Sequence, residues 1–282
     1  MKTIFQKILA SVLPDRIYIR WLFNRVMPYK LDLDNPKTLN EKMQVKKLSK
    51  NLVGLSVYVD KYAARKLIEF EKRVPLLGSF NRSEDISWDD IPCKPFIAKT
   101  THDSSGGIIV RDKKKLCLDV FKNKLRERLK QNHWQLTKEY QYKNIKKKII
   151  FEELLLDENG KVPNDFKFNC FNGRVLFIYV SIDREGLNYR KIYDTNWKEM
   201  EITWTAPGKE KKFRGPSISK PSNLEEMIEY AEKLASEFSY VRIDLYSIKN
   251  KIYFGEYTFM HGSGLEPILP YKFDLYFGSK IK

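Results

Sequence analysis

Residues 241–259 read VRIDLYSIKNKIYFGEYTF, and they decide the fold class. Val241, Ile243 and Leu245 alternate with Arg242, Asp244 and Tyr246, the period of a strand with one buried face. Phe254, Glu256 and Thr258 share a face on the return strand, so the stretch reads as a β-hairpin. Asp244 and Glu256 are equidistant from Asn250. A turn centred there would set the two carboxylates opposite each other, with Cβ atoms about 5 Å apart. Like charges so placed repel, and a cation between them resolves the repulsion; a ligand set of oxygens selects Mg2+ or Mn2+ over zinc. A register slipped by one residue would send the acids to opposite faces, and spacing alone leaves both arrangements open.

The pattern extends upstream. Residues 166–171 and 175–182 are strands joined by Asn172-Gly173, the dipeptide best suited to a two-residue hairpin turn. Ser222-Asn223-Leu224-Glu225 reads as a capping box opening a helix whose apolar face holds Leu224, Met227, Ile228, Ala231, Leu234, Ala235 and Phe238. Residues 96–99 and 108–110 are short strands around a polar loop, 118–129 a helix and 148–155 a strand. Residues 38–49 and 57–73 read as helices, the latter ended by Pro75 and Gly78. Hairpins with interspersed helices predict an α+β fold with antiparallel sheets.

At the N-terminus, Ile4, Phe5, Ile8, Leu9, Val12 and Leu13 recur at helical spacing beside Lys2 and Lys7, and residues 17–27 repeat the mixture. Gln6-Lys7 and Pro14-Asp15-Arg16 interrupt what a signal peptide needs. The expectation is a basic amphipathic pair that either packs on the domain or lies on an anionic leaflet. The whole chain has 282 residues, 52 Lys+Arg against 36 Asp+Glu, a charge of +16 and 42% hydrophobic residues. That excludes a disordered chain, and no apolar run approaches the roughly 20 residues of a membrane span. The charge calls for an acidic partner, but the lysine runs at 113–115 and 146–148 are scattered rather than striped, so nucleic acid is not expected. Cys93, Cys117 and Cys170 suit a reducing compartment better than a disulfide framework or a zinc ribbon.

A second pole is Lys99 with the loop His102-Asp103-Ser104-Ser105-Gly106-Gly107. An ammonium and glycine-exposed N–H groups suit phosphate, although no Walker A loop and no G-x-G-x-x-G occurs. Lys167 in Asp165-Phe166-Lys167, with Arg184 and Arg190, supplies cations that could meet a transferring phosphoryl group, and ordinary surface positions explain each of them equally well. His102 and His261 are lone loop histidines that could act as bases, a structural role being the simpler reading.

Asn35-Pro36-Lys37-Thr38-Leu39-Asn40-Glu41-Lys42, Asp60-Lys61-Tyr62-Ala63, residues 99–107, Tyr142-Lys143-Asn144-Ile145, Glu152-Glu153, Asp165-Phe166-Lys167-Phe168 with Cys170-Phe171-Asn172-Gly173, and the final hairpin come in an order that resembles the ATP-grasp superfamily. The similarity, from about Asn35 onward, is to its TupA-like branch, of teichuronopeptide synthesis and surface-polysaccharide gene clusters. The resemblance implies an ATP-grasp-type two-lobed fold preceded by N-terminal helices. Its parts would be a basic helical segment at 1–31, a helical region at 32–95 and a core at 96–282, split into a nucleotide lobe (96–155) and a metal and catalytic lobe (156–282).

It implies ATP and Mg2+ (or Mn2+) as cofactors. Lys99 would meet phosphate or adenine, and Ser104, Ser105, Gly106 and Gly107 would fold over the phosphates. Glu152, Glu153 and Leu155 would form the adenine hinge, and Asp165 would approach the ribose. Lys167, Arg184 and Arg190 would serve the transferred phosphate, and Asp244, Glu256 and Thr258 the metal. Two positions depart from the pattern: Asp103 stands where related loops usually have Gly, and Thr258 where most ATP-grasp ligases have Asn. The activity implied is ATP-dependent carboxylate–amine ligation on a glycan or lipid-linked glycan with an amino acid or other amine, in the cytoplasm, at the inner face of the membrane if the N-terminal segment binds there. A glycosyltransferase is the competing reading, because Asp32-Leu33-Asp34 matches a D-x-D metal motif.

Overall fold

The computed structural model describes residues 2–103 and 107–281. In chain order its regular elements are α1 (Lys2–Val12), α2 (Asp15–Val26), α3 (Leu39–Lys47), α4 (Ser56–Val59), β1 (Leu76–Phe80), β2 (Phe96–Thr100), β3 (Ile108–Val110), α5 (Leu118–Lys130), α6 (His133–Thr137), β4 (Ile149–Glu153), β5 (Asp165–Phe171), β6 (Arg174–Ile182), β7 (Tyr189–Tyr193), β8 (Thr203–Trp204), α7 (Leu224–Ala235), β9 (Tyr240–Ile248), β10 (Lys251–Thr258), β11 (Ile268–Leu269) and α8 (Tyr271–Ser279). The architecture is α+β, with every strand pair antiparallel. The chain forms two compact units, one of residues 51–160 and one of residues 1–50 with 161–282. The division passes through the 32–95 stretch, which is also less helical than expected.

In the smaller unit the sheet order is β1-β4-β2-β3. Phe96, Ala98, Ile149 and Phe151 point to one face and bury against Phe121 and Leu125 of α5, the two positions its helical period places on one side. The opposite face therefore carries Ile97, Lys99, Ile150 and Glu152. The helix expected over 57–73 is broken: after α4 only 3-10 turns follow. Asp60 is the reason, since its carboxylate accepts the N–H groups of Tyr62 and Ala63 at 2.8 and 3.2 Å and offers the backbone a turn instead of a helix. Strand β1, which pairs with β4, had no alternating signature in Leu-Leu-Gly-Ser-Phe.

In the larger unit the sheet order is β10-β9-β5-β6-β7. The β5–β6 turn is Asn172-Gly173, with φ of 48° and 77°, the left-handed pair a two-residue hairpin requires. Helix α7 buries Leu224, Met227, Ala231 and Ala235 and packs on β5, β6 and β9. The capping box expected at its start is absent. Ser222 instead donates to Asn250 Oδ1 at 2.6 Å, and Asn223 Nδ2 to the Asn250 carbonyl at 3.1 Å, tying the helix start to the β9–β10 turn. A capping box does occur at α3, between Thr38 and Glu41. Helix α2 buries Tyr18, Ile19, Leu22 and Phe23, while Phe5, Ile8 and Val12 of α1 are exposed. No helix among the described residues is long and apolar enough to cross a membrane.

Candidate functional site

Antiparallel register aligns a row of side chains across all five strands of the larger sheet: Ile192, Tyr179, Lys167, Asp244 and Glu256. Beside it run Asn169, Arg242 and Thr258, and on the other side Arg190, Ser181 and Asp165. The acids of the final hairpin thus face each other, but not through a turn centred on Asn250. The turn is Lys249-Asn250, with φ of 50° and 62°, and its register alone would pair Asp244 with Gly255. A bulge at Gly255 adds one residue and brings Glu256 opposite Asp244. A Cβ at Gly255 would stand 3.0 Å from the Asp244 carbonyl oxygen, so the close approach favours glycine.

Sequence reasoning missed the group lying between the acids, Arg242. Its Nε donates to Asp244 Oδ1 at 2.7 Å, and its Nη2 to Asp244 Oδ2 at 2.8 Å, to Thr258 Oγ1 at 3.0 Å and to Glu256 Oε1 at 3.3 Å. Its alternation with Asp244 was the available signal. Lys167 Nζ donates to Asp165 Oδ2 and Asp244 Oδ2, both at 2.6 Å. Arg184 Nη2 lies 3.8 Å from Asp165 Oδ2, and its Nη1 donates to the Tyr246 hydroxyl at 3.3 Å. Three carboxylates therefore meet three cations in a largely buried cluster. Burial pushes the Asp244 carboxyl up against the pull of Arg242 and Lys167. At Asp165 burial acts the same way, but Lys167 and Arg184 outweigh it and hold the group down. Asp165 Oδ1 is buried with no hydrogen-bond partner, an unused acceptor in the cluster.

The donors Asp244, Glu256 and Thr258 are hard oxygens, the chemistry Mg2+ takes. Among the described residues no group of three or more His, Cys, Asp or Glu side chains is placed to hold a metal ion. The donors present fit an ion that draws its remaining ligands from phosphate and water, the usual Mg2+ arrangement.

His261 closes one end of the cluster. Its Nδ1 sits 3.1 Å from Arg242 Nη1 and its Nε2 3.3 Å from Glu266 Oε2. A guanidinium can only donate, so Nδ1 accepts and Nε2 carries the proton. The ring stacks on Trp204 at 4.0 Å. Burial, with Arg242 adding to it, lowers its pKa to about 4 despite Glu266. Helix α3 fixes the loop that carries it: Asn40 Nδ2 donates to the Glu266 carbonyl at 3.2 Å, Gln44 Nε2 to those of Ser263 and Gly264 at 3.0 and 2.7 Å, and Lys47 Nζ to that of Ser263 at 2.7 Å. Asn40, Gln44 and Lys47 form one helical stripe, so the Asn-Glu motif of the N-terminal region works as a brace for the site.

A pH dependence follows. The unfolded chain protonates His261 below its ordinary pKa of about 6.5 and the native state only below about 4, so between these values the unfolded state binds more protons. The contribution is present in full above pH 6.5, and is lost as pH falls to about 4, by about 3 kcal/mol. Urea unfolding from pH 7.5 to 4.5 should show a steeper loss in the parent than in His261→Gln; parallel curves would contradict the assignment.

In the smaller unit, Lys99 Nζ donates to Glu152 Oε2 and Arg65 Nη1 to Glu152 Oε1, both at 2.7 Å. Glu152 is buried and Glu153 half-buried against Lys94. The Glu153 N–H is taken by the Pro75 carbonyl at 3.0 Å and that of Leu154 by Pro95 at 3.1 Å; Leu155 lies past the strand end. A Cβ at Gly107 would fall 2.4 Å from Ile97 Cγ1 and 2.9 Å from the Ala98 carbonyl, so only glycine fits. Ser104, Ser105 and Gly106 lie outside the described residues. Asp103, the departure from the family pattern, is buried with Lys61 and Arg128 3.9 and 3.8 Å away, which offsets its charge.

Other candidates fall elsewhere. Arg190 shares the site face but not the cluster; its partners are Asn188, the Tyr189 carbonyl and the ring of Tyr179. His102 Nε2 meets the Gln131 carbonyl at 3.0 Å. In Asp32-Leu33-Asp34, Asp32 accepts the N–H groups of Asp34 and Asn35 at 3.0 and 2.9 Å, and Asp34 pairs with Arg16. These are the contacts of a surface turn, so the D-x-D tripeptide has a local explanation.

The family comparison places this α+β chain, with its sheet-borne cluster of acids, lysine and arginine, among the ATP-grasp enzymes. The TupA-like ATPgrasp family matches residues 41–282, and the chain belongs to it. A search of curated proteins found no match. Among solved structures the chain is similar to D-alanine–D-alanine ligase from Bacillus anthracis complexed with ATP (15% identity, 73% of this chain and 55% of that one, TM-score 0.42). It is also similar to D-alanine–D-alanine ligase from Helicobacter pylori (16% identity, 81% and 61%, TM-score 0.45) and to purK, N5-carboxyaminoimidazole ribonucleotide synthetase, as its ADP complex (14% identity, 72% and 45%, TM-score 0.42). The chain thus spans between 45% and 61% of the length of these three proteins.

Proposed function

We propose that the protein is an ATP-dependent carboxylate–amine ligase that modifies a surface polysaccharide or its lipid-linked precursor. The observation that carries this reading is the row Lys167–Asp244–Glu256, with Asp244 buried at its centre and Arg242 lying across it, in a chain of the TupA-like ATP-grasp family. A substrate carboxylate oxygen attacks the γ-phosphorus of ATP, the bond to the bridging oxygen breaks, and ADP leaves with that electron pair. The amine then attacks the acyl carbon and phosphate departs, giving the amide. No covalent enzyme nucleophile is needed, so positioning and electrostatics supply the catalysis. Asp244, Glu256 and the Thr258 hydroxyl would hold the divalent ion, which supplies charge neutralisation for the phosphates. Lys167 and Arg242, now paired with those acids, are the donors within reach to turn toward the phosphoryl oxygens, and Arg184 adds a third. Lys99, Glu153, Leu155 and Gly107 would meet the nucleotide. The exposed Phe5, Ile8 and Val12 of basic α1 support a place at the inner face of the membrane.

The test is thermal unfolding with Mg·ATP. The parent should gain several degrees, as a ligand at a hundred times its Kd adds about 2.7 kcal/mol, whereas UDP-sugars should add nothing. Glu256→Ala should lose most of the gain. An equal gain in parent and variant would remove the metal assignment, and a gain with UDP-sugars alone would favour a glycosyltransferase.

A further inference from the structure

Helix α3 turns two neighbouring faces to the larger unit. Asn40, Gln44 and Lys47 brace the His261 loop, whereas Met43 and Lys46, on the face beside them, line a cavity of about 280 Å3. Pro36, Val45, Tyr240, Phe259 and Ile281 supply the rest of its apolar wall, and Ser239 stands exposed at its rim. The Tyr240 hydroxyl is already engaged with Asn169 Oδ1 at 3.0 Å, so that wall offers the cavity a ring and no free polar group. An apolar cavity of about 150 Å3 takes a benzene ring, and on that scale this one holds a body of roughly eight to twelve carbons.

Apolar volume alone would be a packing gap; Lys46 makes it more than that. The ammonium lies over the Phe259 ring at 5.6 Å. Phe259 is 1% exposed, so the charge rests against a buried wall instead of reaching out into water. That ring is the one side-chain partner of Lys46 among the described residues, and no ion pair joins it to an acid. Lys42, one turn earlier on α3, donates to the Ile281 carbonyl at 2.8 Å and so closes the cavity's other end. Burial, with no acid acting against it, holds the Lys46 ammonium below the usual lysine range. A half-buried cation without a counter-charge is costly, and a bound anion relieves that cost.

We propose that this cavity is a binding site for an amphiphilic carboxylate, its apolar body held between Met43 and Phe259 and its carboxylate on the Lys46 ammonium. Apolar walls with one placed charge are what a small-molecule site needs for affinity and orientation. A single ammonium, with no guanidinium among the described lining residues, matches one monovalent carboxylate better than a phosphate dianion. The site lies apart from the acid-cation cluster and takes no part in the phosphoryl chemistry proposed for it.

The test is isothermal titration of the full chain with octanoate, with octan-1-ol as the neutral control and octyl phosphate as the competing anion. The parent should bind a single octanoate per chain and octan-1-ol about tenfold or more weakly, the worth of one hydrogen bond to a charged group. Lys46→Met should bring octanoate down to the affinity of the alcohol, and Lys46→Arg should keep most of the preference. Ser239→Trp, which fills the cavity from its exposed rim, should abolish binding of all three probes, with a melting temperature near the parent's showing that the variant is folded. Equal affinity for octanoate and octan-1-ol would leave only an apolar gap and overturn the proposal. Unchanged octanoate binding in Lys46→Met would do the same, and in Ser239→Trp it would place the ligand elsewhere, for instance on the exposed face of α1. Tighter binding of octyl phosphate than of octanoate would overturn the assignment to a carboxylate.

Discussion

Arg242→Leu is expected to lower the unfolding free energy by about 3–5 kcal/mol, the range for removing one partner of a buried ion pair. Arg242 donates to Asp244 twice, to Glu256, to Thr258 and toward His261, and it is itself buried. Leucine would fill part of the volume but leave Asp244, 2% exposed, with Lys167 as its one remaining cation, and that lysine is shared with Asp165. Urea unfolding at pH 7.5 measures the effect. Arg242→Lys should recover part of it, since a charge returns without the two-pronged geometry. A loss below about 1 kcal/mol for leucine would mean that the cluster relaxes to let water in, and that the guanidinium does not organise the site.

Asp244→Asn should remove turnover and also cost stability, since Asp244 accepts from Arg242 and Lys167 through both oxygens and an amide can replace only one of them. The melting temperature without nucleotide is measured beside turnover, so that the rate is read on folded protein. The charge that balances Lys167 and would hold the divalent ion is gone. Loss of one preorganised electrostatic contact costs about a hundred- to a thousandfold in kcat, and ADP release from Mg·ATP in the presence of an acidic glycan and an amine should fall by at least that much. A variant within threefold of the parent would place the chemistry elsewhere on the sheet.

Strand positions were readable in the final hairpin because half of each strand is buried and half is not. Val241, Ile243 and Leu245 had to alternate with Arg242, Asp244 and Tyr246. Asn172-Gly173 announced its own turn, since positive φ at two successive residues selects that dipeptide. Strand β1 and the broken helix after α4 were not readable. Pairing with the sequence-distant β4 decides the first, and the Asp60 side chain, acting locally, decides the second. The site was legible as a list of acids and lysines and illegible as an arrangement. Arg242 escaped notice because an arginine beside two acids has many possible partners in a chain of charge +16. Arg190 was grouped with Lys167 by charge alone, although strand β6 lies between them.

By itself the sequence determined the α+β class, the hairpins and the residue types facing the larger sheet, because alternation and turn chemistry act over a few neighbouring residues. Which strands adjoin, and therefore that Lys167 stands between Asp165 and Asp244, was decided by tertiary structure alone. So was the one-residue correction at Gly255 that turns Glu256 toward Asp244. Side-chain facing reverses with every residue of register, and register is set by the packing of distant segments and by bulges, which local sequence patterns do not encode.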